Sequence, residues 1–254
     1  MSNALPPPPV FVLGMHNAGT TILARLLHHG GVFMHANMNH YESRFFTTDV
    51  NDAMILGPGT WANLPLPDEQ EILGHRATAG QYILDNWRAA YMADGYDGAG
   101  PWGLKDPRLC VLVPLYLELF ADARIVIIER NAEDIAASLS HKRKSGVGSA
   151  DKTHRGRLND YDHWVALTGA YYQRVHDYAD RYRAAMTIVY EQFCAEPQQV
   201  ARQVLDFCDV PYGDGAASVV AQVISGRIGT GEWSPLRWQL ERIKRNIGRL
   251  IRRR

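Results

Sequence analysis

Short apolar runs alternate with longer amphipathic stretches along this chain, and the alternation predicts strands separated by helices. Residues 10–13 are apolar up to Gly14, and an apolar helical stripe then runs through residues 22–27. Residues 124–129 contain consecutive β-branched aliphatic side chains, as expected for a strand buried on both faces. The other predicted elements are short strands at 32–34, within 102–108 and at 186–190, and helices at 69–92, 109–119, 132–140, 161–183 and 197–207.

This order of elements predicts an α/β fold with a central, mostly parallel β-sheet flanked by helices. Ligands of such sheets bind beyond the carboxyl ends of the strands. Gly14, Lys105-Asp106 and Arg130 all follow predicted strands, so we expect them to meet at one edge of the sheet. Residues 35–66 lack clear periodicity and are predicted to form an irregular loop on the substrate side. A loop is also expected between residue 207 and residue 227.

Composition places the chain among globular proteins, with 46% hydrophobic and 21% charged residues. The formal net charge is zero, so we expect no nucleic-acid partner. Three cysteines without metal-ligand spacing are typical of reduced thiols and predict a cytoplasmic location. We expect a proline-rich lead-in at 1–9, one domain at 10–235, and a basic amphipathic helix at 236–254. The default expectation is a solvated terminal helix, and the alternatives are that it docks on the domain or lies on an anionic membrane surface.

The stretch from Gly14 to Thr21 reads as a glycine-bounded loop between a strand and a helix. Backbone N–H groups and the helix N-terminus make such a loop an anion cradle, best matched to phosphate. Thr20 stands where a nucleotide-hydrolase loop would carry its lysine. This favours a single 5′-phosphate over a triphosphate with Mg²⁺. The alternative is an ordinary strand-to-helix turn.

Together these segments resemble the sulfotransferases that use 3′-phosphoadenosine 5′-phosphosulfate (PAPS). The similarity spans roughly residues 10–210 and implies that family's P-loop-like architecture. The stretch 102–108 resembles a W-G-x-K-D-P-R run of bacterial members, and residues 190–193 resemble the family's late strand-to-helix passage. Residues matching the 5′-phosphosulfate loop are Gly14, His16, Asn17, Ala18, Gly19, Thr20 and Thr21, and those matching the 3′-phosphate element are Arg130 and Ser138.

The resemblance implies roles for further residues, with PAPS as co-substrate and no metal. Lys105 would steady the oxygens of the transferring group. Glu42, in Glu-x-x-Phe-Phe, resembles the general base of heparan-type sulfotransferases. Asp106 is the alternative base, or orients Lys105. The stretch from Arg227 to Trp233 partly matches a segment that closes over the nucleotide in cytosolic sulfotransferases.

Two positions depart from the family pattern, because Asn17 replaces a basic residue and Ala18 replaces a serine. A protonated His16, Lys105 or Arg108 could supply the missing charge. The leading hypothesis is sulfuryl transfer to a hydroxyl or amine of a small molecule, lipid or carbohydrate. Two alternatives stay open: a phosphotransferase of the nucleotide-kinase type, and a nucleotide-binding protein that has lost catalysis.

Overall fold

The computed structural model describes residues 7–35, 39–57, 60–144, 161–181 and 184–226. Its sheet has four parallel strands in the order β2-β1-β3-β4 within this part of the chain. The strands are β1 (Val10–Leu13), β2 (Gly103–Lys105), β3 (Arg124–Glu129) and β4 (Ala185–Val189). The predicted α/β fold with a parallel sheet is therefore confirmed.

Helices flank the sheet on both sides. The α-helices are α1 (Thr20–Gly30), α2 (Glu69–Leu73), α3 (Gln81–Ala93), α4 (Leu109–Leu119), α5 (Ala132–Lys144), α6 (Tyr161–Ala179), α7 (Tyr190–Ala195), α8 (Pro197–Phe207) and α9 (Asp214–Ile224). Two π-helical segments cover Phe45–Leu56 and Arg76–Gly80, and two 3₁₀ turns cover Asn39–Tyr41 and Thr60–Ala62.

Side chains that alternate along the strands build a separate core on each face of the sheet. Phe11 and Ile127 point to the face covered by α3, α4 and α6. Val12 and Val126 point to the face covered by α1, α8 and α9. Burial on both faces explains why residues 125–128 are apolar without a polar alternation.

The chain leaves β1 and β3 in opposite directions, which opens a crevice at their carboxyl ends. After β1, the chain passes through α1 to Phe33, which forms a parallel bridge with Trp102 beside β2. After β3, it passes through α5 and α6 to β4 on the other side. The predicted strand at 32–34 is reduced to this single bridge. The loops that follow β1 and β3 face each other across the crevice.

Three element predictions were wrong. Residues 35–66 contain the π-helical segment Phe45–Leu56, whose buried face includes the polar residues Thr47 and Asn51 and is therefore not marked by an apolar pattern alone. The helix predicted at 69–92 is interrupted at 74–80. The loop expected after residue 207 contains α9, whose buried Ala and Val residues follow a helical spacing. The predicted helix at 236–254 lies outside the described residues.

Candidate functional site

The loop between β1 and α1 is shaped by close packing against its neighbours. Gly19 has a φ of 105°, and a Cβ atom there would lie 2.6 Å from Tyr190 Cδ2. A Cβ atom at Gly14 would lie 2.6 Å from the carbonyl oxygen of Ile128. Asn17 has a φ of 66°, a left-handed conformation that asparagine tolerates better than most residues. The loop therefore follows a path that few other sequences allow.

A hydrogen bond joins the start of this loop to α4, and the end of the loop leads into α1. The Gly14 N–H donates to Cys110 Sγ at 3.1 Å. Burial raises the pKa of Cys110 to about 12, so its thiol stays neutral at physiological pH. Because α1 begins at Thr20, the N–H groups of Thr20 and Thr21 lie in its first turn, where no intrahelical acceptor exists. The predicted anion cradle has the backbone that such a site requires.

Lys105 brings a buried cation to this helix terminus. Its side chain is 2% exposed, and Nζ lies 3.3 Å from Thr21 Oγ1 and 2.5 Å from Glu42 Oε1. Glu42 itself keeps 28% of its side chain exposed. The two residues directly before it, His40 and Tyr41, adopt left-handed φ values of 65° and 59°. Non-glycine residues in this region are held at a cost of about 1–3 kcal/mol each, which is typical of functional sites.

Arg130 follows β3 and reaches across the crevice to the same loop. Its Nη1 donates to the carbonyl oxygen of Asn17 at 2.9 Å, and its guanidinium lies 4.7 Å from the centre of the Tyr190 ring. The backbone N–H of Arg130 donates to Tyr172 Oη at 2.9 Å. Its Nε is buried and has no hydrogen-bond partner among the described residues. An anion at this point would satisfy that donor.

Helix α5 starts directly after Arg130. Asn131 Oδ1 accepts from the backbone N–H of Glu133 at 2.9 Å and of Asp134 at 3.2 Å, so Asn131 caps α5. Ser138 is half-buried on α5, about 9 Å along the helix axis from its first residue. Arg130 and Ser138 thus belong to one strand-to-helix passage.

A stack of rings lies against the other side of the loop. The His16 imidazole lies 3.9 Å from the Trp61 ring, with an interplanar angle of 25°. Trp61 in turn lies 5.8 Å from Trp164 of α6, and Tyr171 Oη donates to the Trp61 carbonyl oxygen at 2.8 Å. The region 35–66 therefore contacts the loop through this stack, and it contacts Lys105 through Glu42.

The family follows from comparison with known proteins. A model of the sulfotransferase family matches residues 8–214. The chain belongs to the sulfotransferase family. An uncharacterized protein of Aquifex aeolicus (strain VF5) is 28% identical over 220 residues, which cover 81% of this chain. The chain spans 26% of that relative's length.

Solved structures of bacterial sulfotransferases share the fold of this family member. One is the sulfotransferase domain of the Synechococcus PCC 7002 olefin synthase, with a TM-score of 0.53 and 15% identity. The match covers 86% of this chain and 79% of that domain. Another is a sulfotransferase from Alicyclobacillus acidocaldarius, with a TM-score of 0.52 and 22% identity. That match covers 80% of this chain and 81% of the other.

Within this sulfotransferase-family chain, Asp106 is placed differently from the other expected polar groups. Its carboxylate is 1% exposed and accepts from Asn51 Nδ2 and from the backbone N–H and Nε of Arg108. Burial raises the pKa of Asp106, but the charge and hydrogen bonds of Arg108 and the amide of Asn51 outweigh it and hold that pKa below its usual range. Such an enclosed carboxylate is poorly suited to be a base and better suited to orient its neighbours.

The Arg108 side chain pairs with Asp106 and, through Nη1, forms an ion pair with Asp52. It does not supply the charge that Asn17 lacks. Ala18 is buried, and its N–H donates to the Met15 carbonyl oxygen at 3.0 Å. Arg227, expected to close over the nucleotide, lies outside the described residues. The sequence-based prediction missed Trp61 and Tyr172 as neighbours of the site, because aromatic residues at such spacings are more often core.

The described residues also bear on metal binding and membrane crossing. They contain no group of three or more His, Cys, Asp or Glu side chains placed to hold a metal ion. Their helices include none with the length and apolar character needed to cross a bilayer.

Proposed function

We propose that this chain transfers a sulfuryl group from PAPS to a hydroxyl or amine of a small-molecule, lipid or sugar acceptor. The observation that carries the proposal is the position of Lys105. Its Nζ lies between Thr21 Oγ1, in the first turn of α1, and Glu42 Oε1. A cation and a carboxylate thus stand side by side at the helix terminus where a 5′-phosphosulfate would bind.

The residues around the crevice suit the two anionic ends of PAPS. The backbone of the loop and the N-terminus of α1 would hold the 5′ end. Arg130 would hold the 3′-phosphate, because its buried Nε has no partner among the described residues and its planar guanidinium suits phosphate. Ser138 would add a hydroxyl donor from α5. Gly19 keeps the loop backbone clear of a Cβ atom that would meet Tyr190.

The bound donor supplies the sulfuryl group, and the protein supplies alignment, a base and positive charge. Glu42 would accept the proton of the acceptor hydroxyl as the oxygen–sulfur bond forms. The bond between sulfur and the bridging phosphate oxygen breaks, and Lys105 would stabilise the charge that develops there. The products are the sulfated acceptor and adenosine 3′,5′-bisphosphate (PAP).

Two cations flank the loop that contains the neutral side chain of Asn17. Lys105 Nζ contacts Thr21, and Arg130 Nη1 contacts the Asn17 carbonyl oxygen. The loop is therefore flanked by positive charge on both sides even though it contains no basic residue other than His16. This is why we favour an active enzyme over a nucleotide-binding relative without catalysis.

The donor can be tested by thermal unfolding with PAP, 5′-AMP and MgATP. We expect PAP to raise the Tm most, because only PAP carries both phosphates. Replacing Arg130 by Met should remove the preference for PAP over 5′-AMP, whereas Arg76→Met, at an exposed arginine outside the crevice, should not. A Tm shift by MgATP alone, with metal-dependent ATP consumption, would replace the proposal with the phosphotransferase.

Turnover can be tested with ³⁵S-labelled PAPS and a panel of phenols, alkanols, sterols, glycosides and amines. We expect label to pass to at least one class of acceptor, with PAP released in equal amount. Tight binding of PAP without transfer to any acceptor would instead support the non-catalytic alternative.

A further inference from the structure

A buried polar network joins the π-helical segment Phe45–Leu56 to the start of α4. Asn51 is 0% exposed, and its Nδ2 donates to Asp106 Oδ2 at 2.8 Å. Its Oδ1 accepts from Tyr116 Oη at 2.6 Å. Arg108 donates to Asp106 and forms an ion pair with Asp52, the residue after Asn51. Both functional ends of the Asn51 amide are therefore engaged with α4 or the residues that lead into it.

The network lies between the two chain segments that carry the proposed reacting groups. Asp106 directly follows Lys105. On the other side, Thr47 donates to the Ser43 carbonyl oxygen through both its N–H at 2.9 Å and its Oγ1 at 2.8 Å. These bonds join the π-helical segment to the residue next to Glu42. The segment that carries Glu42 is thus fixed to the segment that carries Lys105 through the Asn51–Asp106 bond.

Hydrophobic packing alone would fix the relative position of these segments poorly. The buried face of the π-helical segment presents Phe45, Phe46 and Val50, whose non-directional contacts oppose a slip along an apolar surface less strictly than a hydrogen bond does. A directional hydrogen bond between two buried polar groups tolerates no such slip, because each group would be left unsatisfied. Buried polar contacts of this kind select one register more than they add stability.

We propose that Asn51 is a positioning residue, which acts through Asp106 to hold the Glu42 carboxylate against the Lys105 ammonium. The inference rests on the proposed function, since it assigns Asn51 to the alignment of those two groups. It also gives Asp106 a task that does not require it to act as a base.

Three variants test the assignment. Asn51→Ala removes the link. Asp106→Asn removes the carboxylate. The exchange variant Asn51→Asp/Asp106→Asn reverses donor and acceptor while it preserves net charge and keeps an acceptor for Tyr116 Oη. Asn86→Ala is the matched control, because Asn86 is half-buried on α3 and its Nδ2 donates within that helix, to the Tyr82 carbonyl oxygen.

We expect Asn51→Ala and Asp106→Asn to lower kcat by about 10- to 100-fold, as misplacement by an ångström does. The KM for PAPS should stay within about threefold of the wild-type value, and the Tm shift caused by PAP should stay within a few degrees of it. The reason is that the hydrogen bonds of the network join the π-helical segment to α4 rather than to the loop. The exchange variant should recover most of kcat. Turnover is measured as PAP release with the best acceptor of the panel.

Two results would overturn the inference. One is wild-type kcat in Asn51→Ala. The other is an exchange variant that binds PAP but stays as slow as Asp106→Asn, which would make Asp106 itself a catalytic group. If Asn51→Ala does not fold, Tyr116→Phe provides the milder test, since it removes only the donor to Asn51 Oδ1 and should lower kcat several-fold.

Failure of the proposed function can be told apart from failure of this inference. If wild-type protein sulfates no acceptor, amide hydrogen exchange still reports the link. Exchange across residues 43–56 should rise in Asn51→Ala and return in the exchange variant, with exchange across α1 unchanged. Unchanged exchange in Asn51→Ala would show that the network does not hold the segment.

Discussion

Replacing Gly19 by Ala tests the packing that shapes the loop between β1 and α1, which we propose binds the 5′ end of PAPS. Two separate penalties act at this position. The φ of 105° lies in a region that a side chain disfavours, and the new Cβ atom would lie 2.6 Å from Tyr190 Cδ2 and 3.0 Å from Ile128 Cδ1. The Tyr190 ring contacts the Arg130 guanidinium on its other side. A shift of this ring therefore disturbs the arginine proposed to bind the 3′-phosphate.

The chain offers a control for the backbone part of this penalty. Gly95 has a φ of 101°, and a Cβ atom there would meet nothing within 4 Å. We expect Gly95→Ala to lower the free energy of unfolding by about 1 kcal/mol. The left-handed conformation costs an alanine about 1–2 kcal/mol. Part of this cost is offset because alanine makes the unfolded chain less flexible than glycine does. Gly19→Ala adds overpacking of about 1–3 kcal/mol, for a total of roughly 2–4 kcal/mol.

Urea unfolding of wild type, Gly19→Ala and Gly95→Ala measures the loss in free energy of unfolding for each variant. Gly213→Ala is a further control, because a Cβ atom there would meet nothing within 4 Å. A parallel titration with PAP should show weaker binding in Gly19→Ala and wild-type binding in Gly95→Ala. If the two alanine variants were equally stable and bound PAP equally well, the close approach of Tyr190 to the loop would not exist in solution.

Three further outcomes are expected. Lys105→Met should lower kcat by about 10²- to 10³-fold while calorimetry shows little change in the Kd for PAP, because its charge acts mainly on the transferring group. Asn17→Arg should bind PAP about tenfold tighter through a charge-assisted hydrogen bond, and unchanged affinity would show that the flanking cations already suffice. Burial lowers the pKa of His35 to about 4, and Asp94, 3.4 Å away, is too exposed to reverse this. The unfolded chain therefore binds a proton between pH 6.5 and 4 that the folded chain does not, so the free energy of unfolding should fall by about 2 kcal/mol from pH 7 to pH 5. Urea unfolding of His35→Gln should lack most of this slope.

The sheet and the loop could be predicted because their signals are local. The apolar residues before Gly14 and the β-branched residues of β3 predict buried strands from the local sequence alone. Once the strands are assigned, a parallel sheet brings their carboxyl ends together. This is why Gly14, Lys105 and Arg130 could be expected at one edge although they are far apart in the chain.

The partners of these groups could not be predicted in the same way. Trp61 and Asn51 lie in a region without helical or strand periodicity, and their roles depend on long-range contacts with His16 and Asp106. A sequence pattern reports which side chains are buried, but it does not report which buried polar groups satisfy each other. The misjudged region 35–66 therefore contains the features that sequence reasoning left undescribed.

The location of Glu42 depends on both its sequence motif and its contact with Lys105 in the fold. Its motif suggested a base, but a loop carboxylate could equally have been solvated and far from the sheet. The contact with Lys105 excludes the second alternative, because a 2%-exposed ammonium requires a nearby partner and Glu42 provides it. The same contact sets a condition on the proposed reaction. If Glu42 is the base, it must share its carboxylate between Lys105 and the acceptor hydroxyl. The strained turn at His40 and Tyr41 favours this arrangement, since it restricts the directions in which the Glu42 side chain can leave the backbone.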